Sequence, residues 1–170
     1  MASDDLHILA ARLQACCMAV GLSVATAESC TGGRVGDALT DIPGSSAYVR
    51  GGIIAYADDA KIALLGVPEE LLRAHGSVSA QVARAMADGA RLRFGADLAV
   101  AVTGIAGPGG SRPGKPVGLT YVAVANPRAV TVGRHTWNGD REANKHASAR
   151  TALEMLVEAA EELAARQPRS

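Results

Sequence analysis

The chain has 170 residues, enough for one domain with a substantial core, and its 17 basic residues balance its 17 acidic ones. Neither sign gathers into a block and aromatics are only 3%, which argues against a nucleic-acid surface, where basic patches and stacking rings are needed. Hydrophobic residues reach 48%, but in runs far shorter than a bilayer span, so no membrane segment is expected.

The opening Met-Ala-Ser-Asp-Asp has no basic region leading into an apolar stretch and does not read as a signal peptide. Leu6, Leu9, Leu13, Cys16 and Val20 then recur at steps of three and four, which predicts an amphipathic helix closed by Gly21. Cys16 and Cys17 read as small core hydrophobes. With Cys30 they make three cysteines, an odd count that offers no disulfide framework and points to a reducing cytoplasm.

A short apolar run (Leu22, Val24, Ala25) leads into Thr26–Gly33, and Arg34–Leu39 reads as a helix. A strand, a tight turn and a helix start would aim several backbone N–H groups and the positive end of a helix dipole at one point. Ser29 in that turn could attack a carbonyl while those amides hold the oxyanion. The plainer alternative is that Ser29 or Thr31 caps the helix.

Residues 41–46 read as a loop, and 47–56 as a strand in which Gly51-Gly52 marks a bulge or a close backbone approach. A helix follows over 58–65 with Lys61 one turn in, then a short helix restarting at Val67-Pro68-Glu69 and broken at Gly76. Ser79 caps a longer helix running to Phe94. Asp97–Thr103, apolar without alternation, predicts a central strand covered on both faces. The segment 104–116 holds five glycines and three prolines and is a loop. Strands over 117–125 and 130–137 form a hairpin at Asn126-Pro127, and 140–166 is a final helix with Asp140 at its start. The expected fold is one domain over 1–166, a three-layer α/β/α sandwich on a mixed sheet, with 167–170 as a loose tail.

Three loops follow apolar runs and compete as sites: the serine turn, the Tyr56–Lys61 segment and the glycine loop after Thr103. All would lie at strand carboxyl ends, where open α/β sheets bind ligands. His7, His75, His135 and His146 have no evident place beside them, and nothing supports a Ser-His-Asp triad. A desolvated lysine is the other base able to deprotonate a serine, and Lys61 has apolar neighbours. Taken by itself it reads more readily as a surface lysine laid along its helix. Lys115, between prolines, suits an anionic group. The glycine loop could cradle a phosphate or be a long structural turn, and it matches neither GxGxxG nor the Walker pattern. No metal-ligand spacing is present, so no metal is expected.

Taken together, AESCTGG (27–33), GGIIAYADDAKIALLGV (51–67), AVTGIAGPGG (101–110), KPVG (115–118) and GDRE (139–142) resemble the CinA C-terminal domain family, over nearly the whole chain. That family includes stand-alone nicotinamide-nucleotide amidases. The resemblance implies hydrolysis of the carboxamide of nicotinamide mononucleotide to nicotinate mononucleotide and ammonia, in pyridine nucleotide recycling. It implies Ser29 as nucleophile, Lys61 as base, and Tyr56 and Thr103 in the surrounding hydrogen-bond network. Cys30, Thr31, Gly32 and Gly33 would supply the oxyanion hole. Gly107, Gly109 and Gly110 would help hold the nucleotide, with Arg141 as an anion ligand. It implies no cofactor, a homo-oligomer, and a cytoplasmic enzyme without nucleic-acid or membrane partners. The alternative it leaves is a pyridine-nucleotide-binding or regulatory module without turnover.

Overall fold

The structure is a computed structural model that describes residues 2–166, with side-chain surroundings given from residue 5 onward. The tail expected at 167–170 lies outside the described residues.

Among the described residues, eleven α-helices and β-strands follow the alternation expected. Helix α1 (Ala2–Val20) leads to strand β1 (Val24–Glu28), helix α2 (Arg34–Thr40), strand β2 (Val49–Ile54) and helix α3 (Asp58–Leu65). Helices α4 (Glu69–His75) and α5 (Ala80–Phe94) precede strand β3 (Leu98–Gly104), the hairpin of β4 (Leu119–Ala125) and β5 (Val130–Thr136), and helix α6 (Arg141–Arg166). The sheet runs β2-β1-β3-β4-β5. Strand β1 is parallel to both β2 and β3, and the hairpin is antiparallel, so the sheet is mixed.

Side-chain size sorts the two faces of that sheet. Along β3 the branched Leu98, Val100 and Val102 join one core with Leu13, Leu39, Leu153 and Leu156, under α1, α2 and α6. The intervening Ala99 and Ala101 join the other core with Ala25, Ala27, Ala123, Val82, Met86 and Ala87, under α5. The expected central strand is therefore covered on both sides, and its alternation is one of volume rather than of polarity. Alanine on the sheet lets α5 lie close to it. Closeness continues between helices: a Cβ at Gly89 of α5 would stand 1.9 Å from the Leu65 carbonyl oxygen, so the end of α3 rests directly on the α5 backbone.

Local signals hold at most boundaries. Ser79 Oγ accepts the Val82 amide at 3.3 Å, capping α5 as expected. Asp140 stands outside α6 and caps it, its Oδ1 accepting the Ala143 amide at 2.8 Å. The expected strand over 47–56 is shorter: Ser45–Ala47 is a 3-10 turn, and pairing begins at Val49. Its glycines serve both expected purposes. Val24 pairs with Val49 and Ala25 with Gly51, leaving Arg50 as an extra residue, and a Cβ at Gly52 would stand 2.2 Å from Thr26 Oγ1.

Candidate active site

Because β1, β2 and β3 are parallel, their carboxyl ends open at one edge, and the three loops singled out above meet there. Between them lies a cleft of about 190 Å³ lined by Ser29, Cys30, Tyr56, Lys61, Ser77, Val78, Thr103, Gly104, Ala106 and Arg141.

Ser29 leaves β1 with its amide bonded to the Val102 carbonyl at 2.9 Å, so the sheet itself sets its height. The turn beyond it is organised by Glu28, which the sequence alone did not single out. Its carboxylate is buried, 1% exposed, and accepts the amides of Gly33 and Val35 at 3.1 Å and of Gly36 at 2.8 Å. A buried carboxylate needs such partners, and here the start of α2 supplies them with the favourable end of its dipole. The Gly32 amide is also taken, by the Ser29 carbonyl at 3.1 Å. Of the four amides expected to face a substrate oxygen, those of Cys30 and Thr31 have no other residue's acceptor among the described residues.

Lys61 projects from the first turn of α3 into the protein. Its side chain is 2% exposed, which settles the choice against a lysine laid along the surface. The Nζ lies 3.3 Å from Ser29 Oγ and 3.2 Å from the Tyr56 carbonyl oxygen, with Asp58 Oδ1 at 3.7 Å. Burial pushes the amine below the ordinary lysine value of 10.5, and the Asp58 carboxylate pulls it partly back. Cys30, the other nucleophile in the cleft, is buried and its thiol is pushed up to about 12, so it is a neutral neighbour.

Tyr56 contributes in two directions. Its carbonyl holds Lys61, and its exposed hydroxyl accepts from Arg141 Nη2 at 3.2 Å. Arg141 also donates to the Gly107 carbonyl at 2.8 Å, and the buried Asn144, one turn along α6, donates to the Ala106 carbonyl at 3.1 Å. The start of α6 thus clamps the glycine loop. Thr103 Oγ1 donates to the Ser77 carbonyl at 2.7 Å, tying the end of β3 to the α4–α5 junction rather than bonding to Ser29 or Lys61. Lys115 donates to the His75 carbonyl, which fastens the far side of the same loop.

Ser29, Cys30, Tyr56, Lys61, Thr103 and Arg141 therefore come together. Thr31, Gly32 and Gly33 lie in the turn beside them, and Gly107 reaches the cleft through its bond to Arg141. Gly109 and Gly110 are exposed and do not line it. None of the histidines does either: His146 pairs with Asp5 at 3.1 Å, and His135 stacks on Trp137. The arrangement is a serine hydroxyl against a desolvated amine, with amide donors at hand.

Residues 6–160 match the family model of the CinA C-terminal domain. The chain belongs to that family.

CinA-like proteins similar to this chain include one from Gemmatimonas aurantiaca, 50% identical over 153 residues, covering 90% of this chain and 35% of that protein. A putative competence-damage inducible protein of Symbiobacterium thermophilum is 52% identical over 145 residues, covering 80% of this chain and 34% of the relative. The chain thus spans about a third of the length of the curated relatives it matches. Among solved structures, the competence/damage inducible protein CihA of Agrobacterium tumefaciens superposes with a TM-score of 0.89 at 46% identity, covering 92% of this chain and 96% of that one. A CinA superfamily protein of Klebsiella pneumoniae gives 0.89 at 33% identity, covering 92% and 98%. The CinA C-terminal domain is thus an α/β fold with a mixed five-stranded sheet helix-covered on both faces, and AESCTGG forms the turn at the carboxyl end of its second-position strand. Among the described residues no helix is long and apolar enough to cross a membrane.

Proposed function

We propose that this CinA-family domain is an amidohydrolase that converts nicotinamide mononucleotide to nicotinate mononucleotide and ammonia. The observation that carries the reading is the 3.3 Å approach of Lys61 Nζ to Ser29 Oγ inside a cleft. Neutral Lys61 takes the hydroxyl proton as Ser29 attacks the carboxamide carbon, and the Cys30 and Thr31 amides receive the developing oxyanion. Collapse breaks the C–N bond, Lys61 returns its proton to the leaving nitrogen, and ammonia departs from a Ser29 ester. Water then enters, gives its proton to Lys61, and releases the carboxylate with Ser29 regenerated. Every proton is supplied by serine, lysine or water, and no cofactor is called for.

The test is incubation with nicotinamide mononucleotide while ammonia and nicotinate mononucleotide are measured. Wild type is expected to turn over and Ser29→Ala to lose about 10³-fold or more. Equal ammonia release by both proteins would remove Ser29 from the mechanism. Tight nucleotide binding without product would instead favour a binding or regulatory module. We expect a homo-oligomer, since Ile54, Tyr56, Ile62 and Leu64 leave apolar surface exposed around β2 and α3, and sedimentation reads this directly.

A further inference from the structure

Several basic side chains surround the serine turn and the glycine loop; Arg112 is exposed on the loop and does not line the cleft, and most of the others are committed. Arg141 is held by the Gly107 carbonyl and the Tyr56 hydroxyl. Arg34 pairs with Glu142 at 2.7 Å, Lys115 donates to the His75 carbonyl, and Lys61 is enclosed. Lys145 differs. It is half-buried, and its Nζ stands 3.8 Å from the point a Cβ on Gly32 would occupy, directly beside the serine turn. It is close enough to favour the charged form of the Cys30 thiol. Among the described residues it has neither a carboxylate partner nor a hydrogen-bond acceptor.

Placement adds to this. Lys145 follows Arg141 by four residues, so both lie on one face of α6 about 6 Å apart along the axis. The cleft holds about 190 Å³, whereas sites that enclose a whole ligand run to about 300–1,000 Å³. It therefore has room for a heteroaromatic carboxamide, while a sugar and its charged substituent extend outward past the serine turn. An unneutralised ammonium there raises the local concentration of anions and suits a phosphate as a point charge with three donors.

The geometry points to Lys145 as the residue that receives the phosphate monoester of the substrate, making the site selective for phosphorylated over neutral carboxamides. This rests on the amidase reading above, whose substrate already carries the phosphate, and adds to it the residue that holds that group.

The experiment compares nicotinamide mononucleotide with the neutral nicotinamide riboside as substrates of wild type, Lys145→Met and Lys145→Arg. For Lys145→Met, KM for the mononucleotide is expected to rise about tenfold or more, the scale of one charge-assisted hydrogen bond. Its kcat for the mononucleotide and its kcat/KM for the riboside are expected to stay within about twofold, with Lys145→Arg recovering most of the loss. A purely structural role would depress both substrates together, and that result, or no effect on either, overturns the assignment. If wild type releases ammonia from neither compound, the amidase reading fails on its own. Calorimetric titration of the same two compounds then decides Lys145: selective loss of mononucleotide binding in Lys145→Met sustains it, and equal affinities, or no mononucleotide binding by wild type, overturn it.

Discussion

The Gly36 amide donates to the Glu28 carboxylate at 2.8 Å, so a residue of β1 fixes the first turn of α2 from below. Glu28 and Ser29 are adjacent, yet one reaches back under the helix start while the other meets Lys61. Replacing Glu28 by Ala would strand three amides in a buried setting and is expected to cost about 2–3 kcal/mol. Glu28→Gln, which keeps one acceptor oxygen but turns an NH₂ toward those donors, should fall between. Denaturant unfolding midpoints check the order, and an alanine variant as stable as wild type would show that the carboxylate does not hold the turn.

The pH dependence has a definite sign. Burial holds Lys61 below 10.5, so the neutral amine that accepts the serine proton becomes available as pH rises through that lowered value. The kcat/KM profile should therefore climb with pH on a limb lying below that of an ordinary lysine. Asp58, 3.7 Å from the amine, favours its charged form, so Asp58→Asn should move the limb to lower pH. A limb displaced upward would contradict the role given to Asp58.

Cys30 follows the nucleophile directly but is expected to be chemically silent. With its thiol raised to about 12, its thiolate fraction near pH 8 is about 10⁻⁴. Cys30→Ala should retain activity within several-fold, where Ser29→Ala abolishes it. Iodoacetamide followed by mass spectrometry should label the half-buried Cys16 well before Cys30.

The sequence is most legible where physics acts over a few residues. The bounds of α3 and the Ser79 cap of α5 follow from neighbouring residue types, and both appear as expected. The meeting of the serine turn with Lys61 was suggested by the resemblance and made geometrically possible by three parallel strands ending at one edge. What the sequence alone did not show are partnerships spanning long separations: Asn144 with Ala106, and Thr103 with Ser77. Glu28 is hidden for a different reason. An acidic residue closing a buried strand looks like a strand end until the amides that surround it are seen.

Gly89 carries the last consequence. The tip of α3 sits in the space that a methyl group on that residue would fill, so glycine there acts as a shim of zero thickness beneath the helix bearing the general base. Gly89→Ala would ordinarily firm up a helix by about 0.5–1 kcal/mol. Here it must jack Lys61 away from Ser29, and a misplacement on the order of 1 Å can cost about 10²-fold in rate. Turnover and melting temperature measured on that one variant would show whether the tolerance between base and nucleophile is machined from a single absent carbon.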